Sequence, residues 1–386
     1  CEKFFGRFES HFPGEAGNGL NFFFSDELDF NIRGKLWNAF FAEEFRARKG
    51  YDLLPLLPAL FTDIGDRTPK VRLDYYDVIV QLEENYFRTV FEWHESRGMI
   101  YGCDHGGRGY DITEFGDYFR TQKFNQGPGC DQPKLSSDIV KNKVASSIAH
   151  LYDRPRVWLE GFYGSGWGTS SADFADAVAR NFVMGHNLLS LHGLYYATHG
   201  GWWEWAPPCN GYHMPYWKDM AGFFRAVERM SFLLSQGRHV CDVGIVYPVA
   251  AAEADCGGEE ASKHAFAAAE ALYPQGIDLD FLDFESIERA EIRGGALAVS
   301  GECYRVVIVP AMRAVRFAML EKLLAFRCSG GAVLFLGALP SCSDRAGRND
   351  PVLDDMVREL ASEPGSCLSD AADVVPAVRR LVPADI

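Results

Sequence analysis

The sequence predicts an α/β protein: a (β/α)8 barrel, incomplete at its N-terminal side, over residues 1–238, followed by a doubly wound open α/β domain over 239–386. Three observations predict it. Short apolar runs alternate with polar loops and helical stretches, the cadence of a parallel sheet with right-handed crossovers. Before residue 238 the loops after the apolar runs are long and rich in Gly, Trp, His and acids. That asymmetry suits a barrel, whose chemistry gathers at the C-terminal strand ends. After Gly237-Arg238 the aromatic density falls, Ala rises and a fresh buried run begins.

The elements follow in order. Asn21-Phe22-Phe23-Phe24-Ser25 reads as a buried strand, and a helix over 35–48 follows, with Leu36, Trp37, Phe40, Phe41 and Phe45 at three- and four-residue spacing. Gly50 supplies its stop. A longer helix over 71–96 carries Tyr76, Ile79, Val80, Phe87 and Val90 on one stripe, and residues 99–103 form the next strand. A helix over 137–151 leads to the strand 156–160, Ser170 and Asp173 form a capping box for a helix to 184, and 186–191 is again a strand. A helix over 216–235 closes the first region. About five strands are legible there, against the eight of a barrel, so the missing units are expected upstream of Cys1. The chain begins at Cys1 with neither Met nor a signal-peptide apolar region, and reads as part of a longer protein, with cytoplasmic and exported locations both open. In the second region the strands 242–248, 305–310 and 332–336 alternate with helices over 259–272 and 315–327, and the tail 340–386 is helical at most near 351–361.

Composition narrows the function. The 38 basic and 53 acidic residues give a net charge of −15, which argues against nucleic acid or an anionic membrane as the main partner. No run approaches the ~20 apolar residues of a membrane span. The ten cysteines include no C-x-x-C pair, which excludes a zinc ribbon or a dense disulfide framework and predicts reduced thiols. Eight Trp and sixteen Tyr suit surfaces that stack on sugars.

Chemistry is expected at the strand ends. Ser25-Asp26-Glu27 ends the first strand, and Glu160 ends a strand whose preceding residues are all apolar. Two carboxylates on different strand ends meet the minimum need of glycoside hydrolysis: one protonates the leaving oxygen, the other attacks or activates water. Solvated turns and an ion pair of Glu160 with Arg154 or Arg156 are the competing readings. Cys103-Asp104-His105 ends another strand, and His192 follows the strand after Glu160; each His serves equally as a structural hydrogen-bonding group. With no H-E-x-x-H or H-x-H spacing, a catalytic zinc is not expected, while Asp26, Glu27, Asp104 and Glu160 offer the oxygens that calcium takes. The loops 161–168, with Trp167, and 200–205, with Trp202, Trp203 and Glu204, present aromatics for a sugar's C–H face. In the second region Cys303 and Cys328 sit in no nucleophile elbow, so that domain reads as structural.

Several motifs carry a resemblance. Ser25-Asp26-Glu27, the run Gly50-Tyr51-Asp52-Leu53-Leu54-Pro55-Leu56-Leu57-Pro58-Ala59-Leu60-Phe61, Arg72-Leu73-Asp74-Tyr75-Tyr76-Asp77, Gly127-Pro128-Gly129-Cys130-Asp131 and Ser146-Ser147-Ile148-Ala149-His150 stand in order. Glu160 with Gly166-Trp167-Gly168-Thr169, Pro207-Pro208, Tyr216-Trp217 and Leu234-Ser235-Gln236-Gly237 continue it. Over roughly 20–250 this resembles the α-L-rhamnosidases of glycoside hydrolase family 106 and their relatives. The domain from 242 resembles the non-catalytic, glutamine-amidotransferase-like domain that follows the barrel in family 42 β-galactosidases, where it serves in trimerisation. The resemblance implies an inverting hydrolase of a terminal deoxy-sugar such as α-L-rhamnose, calcium as a candidate helper ion, and a homo-oligomer through the C-terminal domain. Glu160 is similar to one family carboxylate and Glu27 to another strand-end acid of that mouth, with the acid and base roles open between them. The segment Cys103-Asp104-His105-Gly106-Gly107-Arg108 departs from the family pattern, as does the Trp-rich stretch 200–206.

The reading is therefore a glycosidase with Glu160 and Glu27 as the catalytic pair, and Asp26, Asp104, His105, His192, Trp167, Trp202, Trp203 and Glu204 as sugar contacts. Two alternatives stand beside it: a catalytically inactive carbohydrate-binding relative, and a metal-dependent hydrolase using Asp104, His105 and His192.

Overall fold

The computed structural model describes residues 1–30, 34–195, 197, 199 and 206–383. The chain divides into two units. Cys1–Leu28, Thr89–Gly109 and Gln122–Arg238 make the first; Asp29–Arg88, Tyr110–Thr121 and His239–Ile386 make the second. The composition break after Gly237-Arg238 is one place where the chain changes unit. Residues 29–88 and 110–121, counted with the barrel region on sequence, group with the C-terminal part.

The first unit is built on β1 (Phe22–Ser25), β2 (Ile100–Cys103), β3 (Gly129–Gln132), β4 (Trp158–Gly161) and β5 (Leu188–Leu191). All pairs are parallel, β1 with β2 and β3 with β4 with β5. The Gly127 amide, donating to the Tyr101 carbonyl at 3.2 Å, links β2 to the segment entering β3. The first unit thus carries five parallel strands in chain order, two in one sheet and three in another.

Each strand shows one face to helices and the other to the interior, because successive side chains alternate. Leu159 packs with Phe174, Ala177 and Val178 of the helix Ser171–Phe182, so Trp158 and Glu160 face the other way. Tyr101 and Cys103 join Phe23 and Val90 in one cluster, which turns Phe24 and Gly102 inward. The Cys130 thiol lies against Asn142 of the helix Ile139–Leu151, which turns Gly129 and Asp131 inward. The helix Ser171–Phe182 starts at the expected capping box, with Ser170 and Asp173 satisfying each other's amides.

The second unit holds β6 (Val243–Val246), β7 (Leu279–Leu282), an antiparallel meander of β8 (Glu291–Arg293), β9 (Ala296–Val299) and β10 (Glu302–Tyr304), then β11 (Val306–Pro310), β12 (Ala314–Val315), β13 (Ala332–Leu336), β14 (Cys342–Ser343) and β15 (Cys367–Leu368). Its main sheet runs β15-β13-β11-β6-β7, parallel throughout. Taken in chain order that is the 2-1-3-4-5 arrangement of a doubly wound open sheet, as expected. Phe41, Phe45, Leu53, Val71, Tyr75 and Val78 form a separate core in this unit.

Four expectations need correction. The helix expected over 35–48 begins only at Phe41, because the Asn38 side chain accepts the Phe40 amide and holds a turn there. The strand β3 was not marked as an element by its short, glycine-led run. The meander β8–β10 also went unseen: its strands are three or four residues long. The tail is more ordered than expected, adding β15 and the helix Val374–Arg379 to the helix Pro351–Leu360. No helix among the described residues is long and apolar enough to cross a membrane.

Candidate active site

The first unit's interior is layered. Register places Phe24 beside Gly102, and Gly129 beside Trp158. The two glycines exist for the indole: a Cβ on Gly129 would stand 2.4 Å from the Trp158 ring, and one on Gly102 2.7 Å from its Nε1. Phe24 meets the same ring edge-on at 5.0 Å. Two residues further along each strand, on the same face, stand the acids. Asp131 pairs directly with Glu160 across the β3–β4 ladder, and the Asp104 amide bonds to the Ser25 carbonyl, which sets Asp26 and Asp104 side by side. A tier of carboxylates thus stands above the Trp158 ring, at the C-terminal ends of the strands.

One cation organises the tier. Arg108 Nη2 lies 2.7 Å from Glu27 Oε1, 2.8 Å from Asp104 Oδ2 and 3.2 Å from Asp131 Oδ2. Three carboxylates raise the pKa of Arg108 above its ordinary value, against the effect of burial. The acids move the other way. Burial first, and then the neighbouring Arg108 in opposition, leave Asp104 at about 7 and Asp131 at about 6. Burial, then the charges of Asp131, Asp26 and Asp104, push Glu160 up to about 8. Glu160 Oε1 lies 3.9 Å from His192 Nε2, and burial lowers the His192 pKa. Three buried oxygens, Asp104 Oδ1, Asp131 Oδ1 and Glu160 Oε2, have no hydrogen-bond partner among the described residues. Oxygens are the donors calcium takes, but Asp104, Asp131 and Glu160 are not among the described residues whose ligand atoms converge within reach of one ion, so the tier does not fit the expected calcium.

The sequence-predicted residues fall as follows. Glu160, Asp104 and His192 are in the tier or on its rim. Glu27 stands at the edge, 61% exposed, in a left-handed backbone conformation (φ 38°) and held by Arg108. Asp26 is exposed beside it. Trp167 is 43% exposed on the loop after β4. His105 has no exposed surface, and burial holds its pKa down at about 3. It has no face to offer a saccharide, which corrects the expected sugar contact. Trp202, Trp203 and Glu204 lie outside the described residues. The ion pair weighed for Glu160 with Arg154 or Arg156 is not the environment observed: Arg154 bonds the Lys123 carbonyl and Arg156 the Ser231 carbonyl.

Three residues escaped the sequence reading. Asp131 lay inside a quoted motif, but the four-residue β3 gave no strand signal to mark it as a strand end. Arg108 was noted only as part of a departure from pattern. Tyr163 follows β4, and its phenol pKa is raised by burial and then by the charge of Asp131; its ring lies 5.7 Å from that of His192.

The chain is similar to several known proteins. The relative named "Putative beta-glucuronidase" from Formosa agariphila is 24% identical over 305 residues, covering 74% of this chain and 24% of its own length. A rhamnosidase from Novosphingobium sp. PP1Y superposes with a TM-score of 0.65 at 21% identity, over 89% of this chain and 34% of that one. A GH42 exo-carrageenase from Bacteroides ovatus gives 0.61 at 9% identity, covering 88% and 51%. A GH42 β-galactosidase from G. stearothermophilus gives 0.56 at 13%, covering 80% and 50%. The chain thus spans a quarter to a half of the length of these proteins, and at such identities the structures share its fold. The glycoside hydrolase family 106 model, described as alpha-L-rhamnosidase, matches residues 1–371, so this chain belongs to that family.

Proposed function

We propose that the protein removes a terminal sugar, α-L-rhamnose or a related deoxy-sugar, from an oligo- or polysaccharide, with Glu160 as general acid. The observation that carries this reading is a buried glutamate at a strand end whose pKa is pushed to about 8. A carboxyl that keeps its proton at neutral pH can deliver it to the leaving oxygen, as glycosidase acids do. Glu27 is its partner in this proposal. It is mostly in solvent, so water can reach it, and Arg108 fixes its carboxylate at the rim. Asp104 and Asp131 are almost wholly buried and serve to hold Arg108. Asp26, His192, Tyr163 and Trp167 line the sugar site.

Inversion of the anomeric centre belongs to the same proposal, with a water between Glu27 and the sugar. Five parallel strands, four of them with acids at their C-terminal ends, support the (β/α)8 reading of the first unit. The doubly wound unit we read as non-catalytic, amidotransferase-like and a site of self-association. The metal-dependent alternative loses its support, since Asp104, His105 and His192 are not among the described residues whose ligand atoms converge within reach of one ion.

A panel of nitrophenyl and alkyl glycosides, including α-L-rhamnosides, tests the proposal on the full-length protein. Cleavage by wild type with loss in Glu160→Gln is the expected result, and NMR of the first-formed sugar reads inversion or retention. Saccharide binding without cleavage of any member would favour the inactive carbohydrate-binding reading.

A further inference from the structure

The cysteines were expected to be inert thiols, and all ten are free. Two of them, from segments 86 residues apart, nonetheless meet in the second unit, with Cys342 Sγ 3.8 Å from Cys256 Sγ. Cys342 lies in β14, buried, and its thiol points at both the Cys256 sulfur and the Arg313 carbonyl, 3.4 Å away. Cys256 lies half-buried in the turn between the helices Val249–Glu253 and Gly258–Leu272. Left-handed Asp255 (φ 55°) and Gly257 (φ 83°) flank it and fix its position.

We propose that Cys256 and Cys342 form a reversible intramolecular disulfide, made by exchange with a small-molecule disulfide such as oxidised glutathione. An S–S bond is about 2 Å long, so the sulfurs need to close by about 2 Å, a rotamer-scale movement. The two thiols are also unequal. The hydrogen bond from Cys342, together with Arg348 and Arg72, draws the Cys256 thiol down to about 7. That makes the more accessible sulfur the nucleophile, because the thiolate is the reactive form. The Cys256 thiolate attacks one glutathione sulfur, the glutathione S–S bond breaks, and one glutathione leaves as its thiol. Cys342 then gives up its proton and attacks Cys256, and the second glutathione leaves. Two protein thiols are oxidised and one glutathione disulfide is reduced, so electrons and protons balance. The product ties the turn before the helix Gly258–Leu272 to β14.

Peptide mapping of the full-length protein after incubation with oxidised glutathione tests this. The expected result is a Cys256–Cys342 linked peptide, two hydrogens lighter than the sum of the two thiol peptides, that disappears with dithiothreitol. In Cys342→Ser, Cys256 should accumulate as a mixed disulfide with glutathione. In Cys256→Ser, Cys342 should remain a thiol. The exposed Cys1, Cys303, Cys328 and Cys367 report ordinary adduct formation in the same digest. Both thiols still alkylatable in oxidised wild type, each carrying a separate glutathione, or either linked to another cysteine, would overturn the proposal.

Discussion

Glu160→Gln should do two opposite things, and both can be sized. The side chain is only 13% exposed, and its pKa stands at about 8 against an ordinary 4.5. Between those two values the folded protein keeps a proton that the unfolded chain has released. Stability therefore falls as pH rises through that window, because the native state binds more protons than the unfolded one. At 1.36 kcal/mol per pKa unit the full cost is on the order of 4–5 kcal/mol, complete above pH ~8 and absent below ~4.5. Gln keeps the shape and carries no ionisable proton, so the variant escapes the cost. Its Tm should equal that of wild type near pH 4.5 and exceed it by a margin that grows to pH 8. Activity should move the other way. Loss of a general acid costs roughly 10²–10⁴-fold on an alkyl glycoside, and far less on a nitrophenyl glycoside, whose leaving group departs without a proton. Differential scanning fluorimetry across pH 4.5–8.5 and initial rates on the two substrate types read both effects. A Tm difference that stays flat with pH, or equal loss on both leaving groups, would refute the assignment.

Three further outcomes follow from the same tier. Gly129→Ala should lower Tm sharply, since its Cβ would lie 2.2 Å from the Trp158 carbonyl and 2.4 Å from its ring, whereas Gly168→Ala, with open space around it, should leave thermal melts unchanged. Arg108→Gln leaves Asp104 and Asp131 buried without their cation, a loss of about 3–5 kcal/mol in denaturant titration at pH 7. Arg108→Lys should recover part of this, because all three contacts converge on one nitrogen, Nη2, which a single ammonium can imitate. Chelation with EGTA should leave turnover unchanged, measured on whichever glycoside the panel identifies, because Arg108 already supplies the positive charge of the tier.

How much of this was legible in the sequence depended on signal length. Runs of four or five apolar residues before a loop marked β1, β2, β4 and β5, and the acids after β1, β2 and β4 were found because those runs end on them. β3 begins with Gly129 and carries Asp131 as its third residue, so it offered neither an apolar run nor an obvious end. The same glycine that hid β3 is required by the Trp158 ring on the next strand, a relation between residues 29 apart that no local pattern contains. The unit boundaries were half legible. Composition marked the change at 238, but nothing local shows that the core of Phe41, Phe45 and Tyr75 belongs with strands two hundred residues later. His105 misled because adjacency to Asp104 suggested a shared site. Successive side chains along a strand point to opposite faces, so of the two neighbours only Asp104 joined the tier.

The layering also explains why the acids are not equivalent. Asp104, Asp131 and Glu160 share one dry floor, and burial raises each of them. Arg108 then distinguishes them: its Nη2 reaches Asp104 and Asp131 directly and pulls both back toward ionisation, while Glu160 receives only a distant contribution. The result is an ordering of about 6, 7 and 8 for Asp131, Asp104 and Glu160, best regarded as successive protonations of one coupled tier. Near neutral pH Glu160 therefore keeps its proton, Asp104 is about half protonated and Asp131 is mostly ionised. Glu160 is the member not in contact with the guanidinium and lies beside His192, whose own pKa is depressed. A neutral imidazole cannot stabilise the glutamate anion as an imidazolium would. The tier thus concentrates anionic charge at Arg108 and leaves a neutral carboxyl one strand away, which is the division into proton donor and charged partner that glycoside hydrolysis demands.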